Sequence, residues 1–183
     1  GFSKEYERPT LFFINHVDKE FADFDRVLSG MQEHFGQGVV PFEIPVNQGV
    51  GFNQIVDVLQ MKLVTYATDG NGKTEVSDIP PELHDRIEGI REQVIEGAAE
   101  SEDELTEKYL EEGGLTEEEI SRGLRIGIVN RTLFPVLCGD ASKNIGTDRF
   151  LDFLVNNVPS PVDVPPPTVQ KEGSEETAAL SPS

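Results

Sequence analysis

Residues 10–18 read TLFFINHVD, and the reading of this stretch decides the class of fold. Four consecutive apolar residues, Leu11 to Ile14, lie between Pro9 and a polar turn, which suits a strand covered on both faces, as in a parallel sheet. A helix should follow. Phe21, Phe24, Leu28, Met31 and Phe35 recur at steps of three and four, and Gly36 stands where a C-terminal cap is expected. A second apolar strand, Leu133 to Cys138 (LFPVLC), precedes another helical pattern, capped by Thr147, with Phe150, Leu151, Leu154, Val155 and Val158 as its inner face. Two buried strands each followed by an amphipathic helix are units of an open α/β sheet. They are only two, with more than a hundred residues between them. A doubly wound sheet needs more strands, so the chain reads as a piece of something larger that carries an insertion.

Between the two strands the pattern changes. Val39 to Val46 (VVPFEIPV) is extended, but Pro41 and Pro45 confine it to a sheet edge or to positions outside the hydrogen-bonded ladder. Ile55 to Tyr66 alternates partially and reads as one or two strands leading into the turn Asp69-Gly70-Asn71-Gly72, with Thr74 to Val76 returning as a hairpin. Residues 67–74 (ATDGNGKT) spell a Walker A phosphate loop if Ala is allowed at its first position. That chemistry needs a loop running from a buried strand directly into a helix, so that backbone N–H groups and the helix dipole converge on phosphate. The next residues, EVSDIPP, leave no room for such a helix, and the hairpin reading is preferred. Pro80 and Pro81 then open a helix with the apolar stripe Leu83, Ile87, Ile90, Val94 and Ala98. Ser101 with Glu104, and Thr116 with Glu119, read as capping boxes of two more helices, the last with Ile120, Leu124 and Ile128 facing inward. From Pro159 onward Pro, Ser, Glu and Thr dominate, and residues 159–183 read as a linker.

Charge narrows the function classes. The chain of 183 residues has 34 Asp plus Glu against 15 Lys plus Arg, a formal net charge of -19. Direct binding to DNA or to an anionic membrane surface is disfavoured, because both require clustered Lys and Arg. Much of the surplus is local. From Pro81 to Ile120 fifteen acidic residues face only Arg86, Arg91 and Lys108, a local balance of -12. Glu88, Glu92 and Glu96 stand four apart on the face opposite the apolar stripe, a repulsive spacing that costs a few tenths of a kcal/mol per pair. Such a surface either solubilises the helix or steers a basic partner. The single cysteine, Cys138, can form no internal disulfide. No apolar run approaches the roughly 18 residues that span a bilayer, and the N-terminus GFSKEYERPT lacks the features of a signal peptide. A soluble cytoplasmic protein is expected. His16, His34 and His84 show no metal-ligand spacing and no Ser or Cys nucleophile has an evident base, so neither a metal site nor a catalytic residue is expected.

Asn15-His16-Val17-Asp18 falls just beyond the first strand, where open α/β sheets bind ligands. A carboxylate there can accept two parallel hydrogen bonds from the N1–H and exocyclic amine of guanine, a donor pair that adenine lacks. The bare N-x-x-D spacing fits equally well a solvated turn whose Asn and Asp cap the next helix.

The wider pattern distinguishes them. Phe12 to Asp25 (FFINHVDKEFADFD) resembles the Asn-Lys-x-Asp guanine-recognition segment of bacterial elongation factor G, a translational GTPase. The similarity runs on collinearly through Val40-Pro41, Gly51 to Asp57 with Met61-Lys62, Ile79-Pro80, Ile95 to Glu100 and Leu105 to Leu110. It continues through Leu115 to Ile120, Pro135 to Gly139, Lys143-Asn144 and Pro159 to Pro165, covering residues 8–166. The resemblance implies the C-terminal half of a P-loop GTPase-type open sheet with an inserted α+β subdomain, called G′ in that family. Residues 1–35 and 131–158 would form the half G domain, 36–130 the insertion, and 159–183 the connection toward domain II; the phosphate loop and switches would precede this chain.

By the same resemblance, Asp18 would be the carboxylate that reads guanine, and Asn15 the amide that supports the base site and ties its loop to the phosphate loop. His16 stands where the family has Lys; imidazole can stack on a base but is shorter. The family's second base-contacting motif, Ser-Ala-x, is Asp140-Ala141-Ser142, in which Ala141 could offer its N–H to the guanine O6 while a carboxylate replaces the serine hydroxyl. GTP or GDP, with Mg2+, would bind the full-length protein and not tightly this piece. Implied partners are the ribosome and, through the acidic insertion, the basic C-terminal domain of the ribosomal stalk protein; Glu88, Glu92 and Glu96 are the candidate contacts. Loss of a neighbouring strand would leave the edge of the first strand open to self-association. A stand-alone acidic binding module without a nucleotide role, and a divergent paralogue with impaired GTPase activity, remain as alternatives.

Overall fold

In the computed structural model, which describes residues 8–158, 168–170 and 177–179, the first apolar run forms strand β1 (Phe12–Ile14) and leads to helix α1 (Phe24–Phe35). Strands β2 (Val39–Pro41), β3 (Glu43–Pro45), β4 (Gln54–Asp57), β5 (Lys62–Tyr66) and β6 (Thr74–Asp78) follow. Helices α2 (Pro81–Ala99), α3 (Asp103–Glu112) and α4 (Glu117–Asn130) then lead to β7 (Phe134–Cys138), a 3-10 turn over Ala141–Lys143, and helix α5 (Thr147–Asn157). The fold is mixed α/β, with a three-stranded parallel sheet ordered β1-β7-β2 and a four-stranded antiparallel sheet ordered β3-β4-β5-β6.

The two prolines fall where their missing donors do least harm. Pro41 and Pro45 end β2 and β3, each an edge strand of its sheet. Between them the chain crosses from one sheet to the other at Phe42. This corrects the expected boundary of the insertion: β2, inside the span 36–130, pairs with β7 from Val39–Phe134 to Pro41–Val136 and so belongs to the parallel sheet. Among the described residues that sheet therefore has three strands rather than two. Its β1 forms one edge among the described residues.

Helix limits also differ from the sequence pattern. The first helix starts at Phe24 and not at Phe21, because the Asp23 side chain accepts the Arg26 N–H and fixes the N-terminus there; Phe21 is left 90% exposed. Thr116 and Glu119 do form a capping box. Ser101 does not, since its hydroxyl donates back to the Gly97 carbonyl and α3 begins at Asp103 without a side-chain cap. Nor does Thr147 cap the last helix. Gly146 takes that place with φ 78°, where a Cβ would lie 2.5 Å from the Cys138 carbonyl oxygen. The inner face of α5 is rotated accordingly. Phe150 meets Phe13 edge-on at 5.2 Å and Phe153 meets Phe42 at 4.9 Å, leaving Leu151 and Val155 exposed. Two aromatic anchors bury more surface than the aliphatic pair they displace.

The core is continuous across both sheets: Val39, Ile55, Val64, Ile87, Val94, Leu124 and Val136 are fully or almost fully buried in one cluster, each worth about 1.5–3 kcal/mol in burial. One carboxyl is enclosed with them. Glu43 accepts the Cys138 N–H at 2.9 Å where the two sheets meet, and its burial pushes its pKa up to about 8. The linker reading of 159–183 falls mostly outside the described residues; within it β8 (Thr168–Gln170) pairs antiparallel with β9 (Thr177–Ala179). No helix among the described residues is long and apolar enough to cross a membrane.

Candidate functional site

Because β1 and β7 are adjacent and parallel, the loops that come after them leave the same edge of the sheet. Backbone hydrogen bonds stitch these loops together. The Gly139 N–H donates to the Ile14 carbonyl at 3.0 Å and the Val17 N–H to the Gly139 carbonyl at 3.3 Å. His16 adopts a left-handed conformation, φ 62°, uncommon for a residue with a side chain. The turn it makes leaves His16 exposed and puts Val17 and Asp18 inside. From the first loop, the Asn15 Oδ1 accepts the Ala141 N–H at 3.1 Å, so the two loops are also joined through a side chain.

The electrostatics centre on two buried carboxylates. Asp18 is only 7% exposed; its Oδ2 accepts from Lys143 Nζ at 2.8 Å and from Lys19 Nζ at 3.3 Å. The hydrogen bond from the Lys143 ammonium holds this carboxyl at about 2, well below the usual carboxylate range, and the Lys143 pKa is raised in return. Its other oxygen, Oδ1, is buried without a hydrogen-bond partner. Asp140 is fully buried. Its Oδ1 caps the 3-10 turn by accepting the Ser142 N–H at 3.0 Å and the Ser142 hydroxyl at 2.6 Å. Its Oδ2 makes no hydrogen bond and lies 3.8 Å from Lys143 Nζ.

All six candidate residues from the two loops are thus brought together: Asn15, His16, Asp18, Asp140, Ala141 and Ser142. Two of the residues expected at the base are engaged within the loops themselves. The Ala141 N–H, expected to face a base, is directed to Asn15, and the Asp140 carboxylate, expected beside the nucleotide, turns inward to cap its own turn. His16, Asp18 and Asp140 each place a possible ligand atom within 4.8 Å of the others, a grouping that sequence spacing could not reveal because 125 residues or so separate the loops. Exposed His84, Asp85 and Glu88 form a second such grouping on α2.

No motif in the sequence marks Lys143 as a site residue. The signal for it is indirect: two acidic residues at one sheet edge require a nearby cation. Glu88, Glu92 and Glu96 are exposed along α2 and take no part in this site. The Walker-like residues 67–74 close a hairpin, the Ala67 N–H donating to the Lys73 carbonyl at 2.9 Å, and run into β6 rather than into a helix. Their tip lies against the loop after β7. A Cβ on Gly72, φ 73°, would stand 2.6 Å from the Asn144 side chain.

No protein-family model matches the chain. The fold is similar to the crystal structure of ttk003000868 from Thermus thermophilus, with a TM-score of 0.79 and 25% sequence identity over 90% of this chain. The match covers 25% of that protein, so this chain spans about a quarter of its length.

Proposed function

We propose that this chain is part of a translational GTPase of the elongation factor G type, comprising the second half of a G domain and its G′ insertion. Asp18 is the guanine-reading carboxylate, and Asn15 the amide that fixes the neighbouring loop. The observation that carries this reading is the bond from Ala141 to Asn15, which holds two loops together beside a buried carboxylate at the carboxyl ends of adjacent parallel strands. The collinear resemblance over residues 8–166 supports it. A fold shared with about a quarter of the Thermus protein is compatible with a place inside a longer chain. The bound ligand is GTP or GDP, with Mg2+ held by the phosphate loop and switch residues upstream of this chain; hydrolysis belongs to the longer protein.

The chemistry of recognition derives from the carboxylate. Lys143 keeps Asp18 ionised throughout the physiological range, so it presents acceptors only, and a guanine edge satisfies its buried Oδ1 where an adenine edge cannot. In the longer protein the ribosome is the working partner, and the acidic face of α2 meets the basic domain of the stalk protein in the cytoplasm. Calorimetric titration of the intact longer protein with GDP, GTP and ADP tests the reading. Guanine nucleotides bind and ADP does not; a protein that ignores all three leaves the stand-alone acidic module as the better description.

A further inference from the structure

We propose that the cavity between β3, the turn after β4 and helix α5 binds a small organic monocation bearing several N–H donors, with an alkylguanidinium as the representative. The cavity shares no residue with the two loops of the base site, so the inference stands apart from the guanine reading. Its volume is about 160 Å3, and a cavity of about 150 Å3 admits benzene. The rings of Phe42 and Phe153, packed edge-on at 4.9 Å, form an apolar wall. Glu43, Asp57 and Asp152 supply three carboxyls, and Arg149 is the one cationic side chain that lines it. Asp152 is exposed and stands at the mouth, whereas Glu43 is 4% exposed.

The balance of charge favours a cation. Arg149 does not satisfy the carboxyls by itself: its Nη1 lies 3.6 Å from Asp57 Oδ2 and its Nε 4.0 Å from Asp148 Oδ2, both too long for a hydrogen bond. Glu43 commits one oxygen, Oε2, to the Cys138 N–H at 2.9 Å, which leaves Oε1 for a ligand. The charged groups that face Glu43 are Asp57 from β4 and Asp148 and Arg149 from α5, while the Tyr66 hydroxyl on β5 is taken up by Asp148. Burial and the two carboxylates keep Glu43 protonated at neutral pH. A cationic ligand takes over the role of that proton. Metal ions fit less well, because Glu43, Asp57 and Asp152 do not bring three ligand atoms within 4.8 Å of one another. A guanidinium spreads its donors around a flat fork and can span carboxyls that one metal ion cannot, with its alkyl stem against the two rings.

The test is calorimetric titration of the 183-residue chain with ethylguanidinium chloride at neutral pH, in two buffers of different ionisation enthalpy. One equivalent is expected to bind at low millimolar concentration, with release of much of a proton as Glu43 ionises. Glu43→Gln keeps an acceptor for Cys138 and is expected to abolish that release. Asp57→Asn is expected to weaken binding by about tenfold or more, with thermal unfolding checking that the variant folds. Asp152→Asn alters an exposed residue and is expected to weaken binding several-fold. Glu111→Gln, exposed on α3, is expected to change nothing. Tetramethylammonium carries the same charge without N–H donors and is expected not to bind. Equal binding of tetramethylammonium would show attraction to the general negative charge and overturn the assignment. So would binding unaffected by both Asp57→Asn and Asp152→Asn, binding without proton release, or no saturation below about 100 mM.

Discussion

The ammonium of Lys143 lies 2.8 Å from the Asp18 carboxylate, an ion pair that joins residues 125 positions apart and links the loops after two parallel strands. Asp18 is buried, so removing its partner strands a charge rather than merely losing a surface pair. Lys143→Ala should therefore lower the melting temperature by several degrees. Asp18→Asn added to that variant should recover part of the loss, since it deletes the stranded charge. Thermal unfolding of the single and double variants measures this coupling, and strictly additive losses would show that the two side chains do not interact.

Glu43 makes the stability of the fold depend on pH. Its pKa is pushed up to about 8 in the folded protein by burial and by the nearby Asp57 and Asp148 carboxylates, with the hydrogen bond from the Cys138 N–H and the charge of Arg149 opposing. In the unfolded chain it is near 4.5. Between these values the folded state holds a proton that the unfolded state has released, so this group's contribution to stability declines as pH rises from 4.5 to 8. The slope approaches about 1.4 kcal/mol per pH unit and the total is at most about 5 kcal/mol. Burial raises the Asp57 pKa too, which acts in the same direction. Glu43→Gln keeps an acceptor for Cys138 and removes the titration. Urea unfolding at about pH 5 and about pH 8 should show the variant much less sensitive to pH than the wild type.

A matched pair of glycines tests the local geometry. Gly146 combines φ 78° with a carbonyl oxygen 2.5 Å from the position of a Cβ, so Gly146→Ala should cost more than about 2 kcal/mol. Gly89 lies within α2 with nothing within 4 Å of its Cβ position, and Gly89→Ala should stabilise by about 0.5–1 kcal/mol. Chemical denaturation gives both values. Equal effects of the same sign would contradict the described Cys138–Gly146 approach.

Salt screens the exposed carboxylates of α2. Glu88, Glu92 and Glu96 face solvent together, and a basic partner steered by them should associate several-fold more slowly when ionic strength rises from low to physiological values. Surface-bound kinetics with the basic stalk domain would read this directly. An association rate indifferent to salt removes the steering role.

How much of the molecule is legible in its sequence depends on whether the controlling interaction is local. Strands β1 and β7 and the 116–119 capping box can be read directly, because a buried strand and a cap are set by neighbouring residues. The hairpin over 67–74 is equally legible, since the residues after a turn decide whether it can hold phosphate. Long-range choices are hidden. The crossing between sheets at Phe42 depends on β7, and the phase of α5 on the rings of Phe13 and Phe42. At the site, the positions of Asn15 and Asp18 are apparent, whereas Lys143 and the inward turn of Asp140 depend on contacts between distant loops. Ser101 and Thr147 match cap spellings, yet a back-bond to Gly97 and the left-handed Gly146 displace them from those roles.

The central claim is that Asp18 reads guanine, and calorimetric titration of GDP into the intact longer protein and its Asp18→Ala variant tests it most directly. The reading predicts one GDP site, no binding of ADP, and a loss of about a hundredfold or more in the variant, whose guanine donors go unpaired. GDP binding that is unchanged by Asp18→Ala, or no GDP binding even at millimolar concentration, would contradict it.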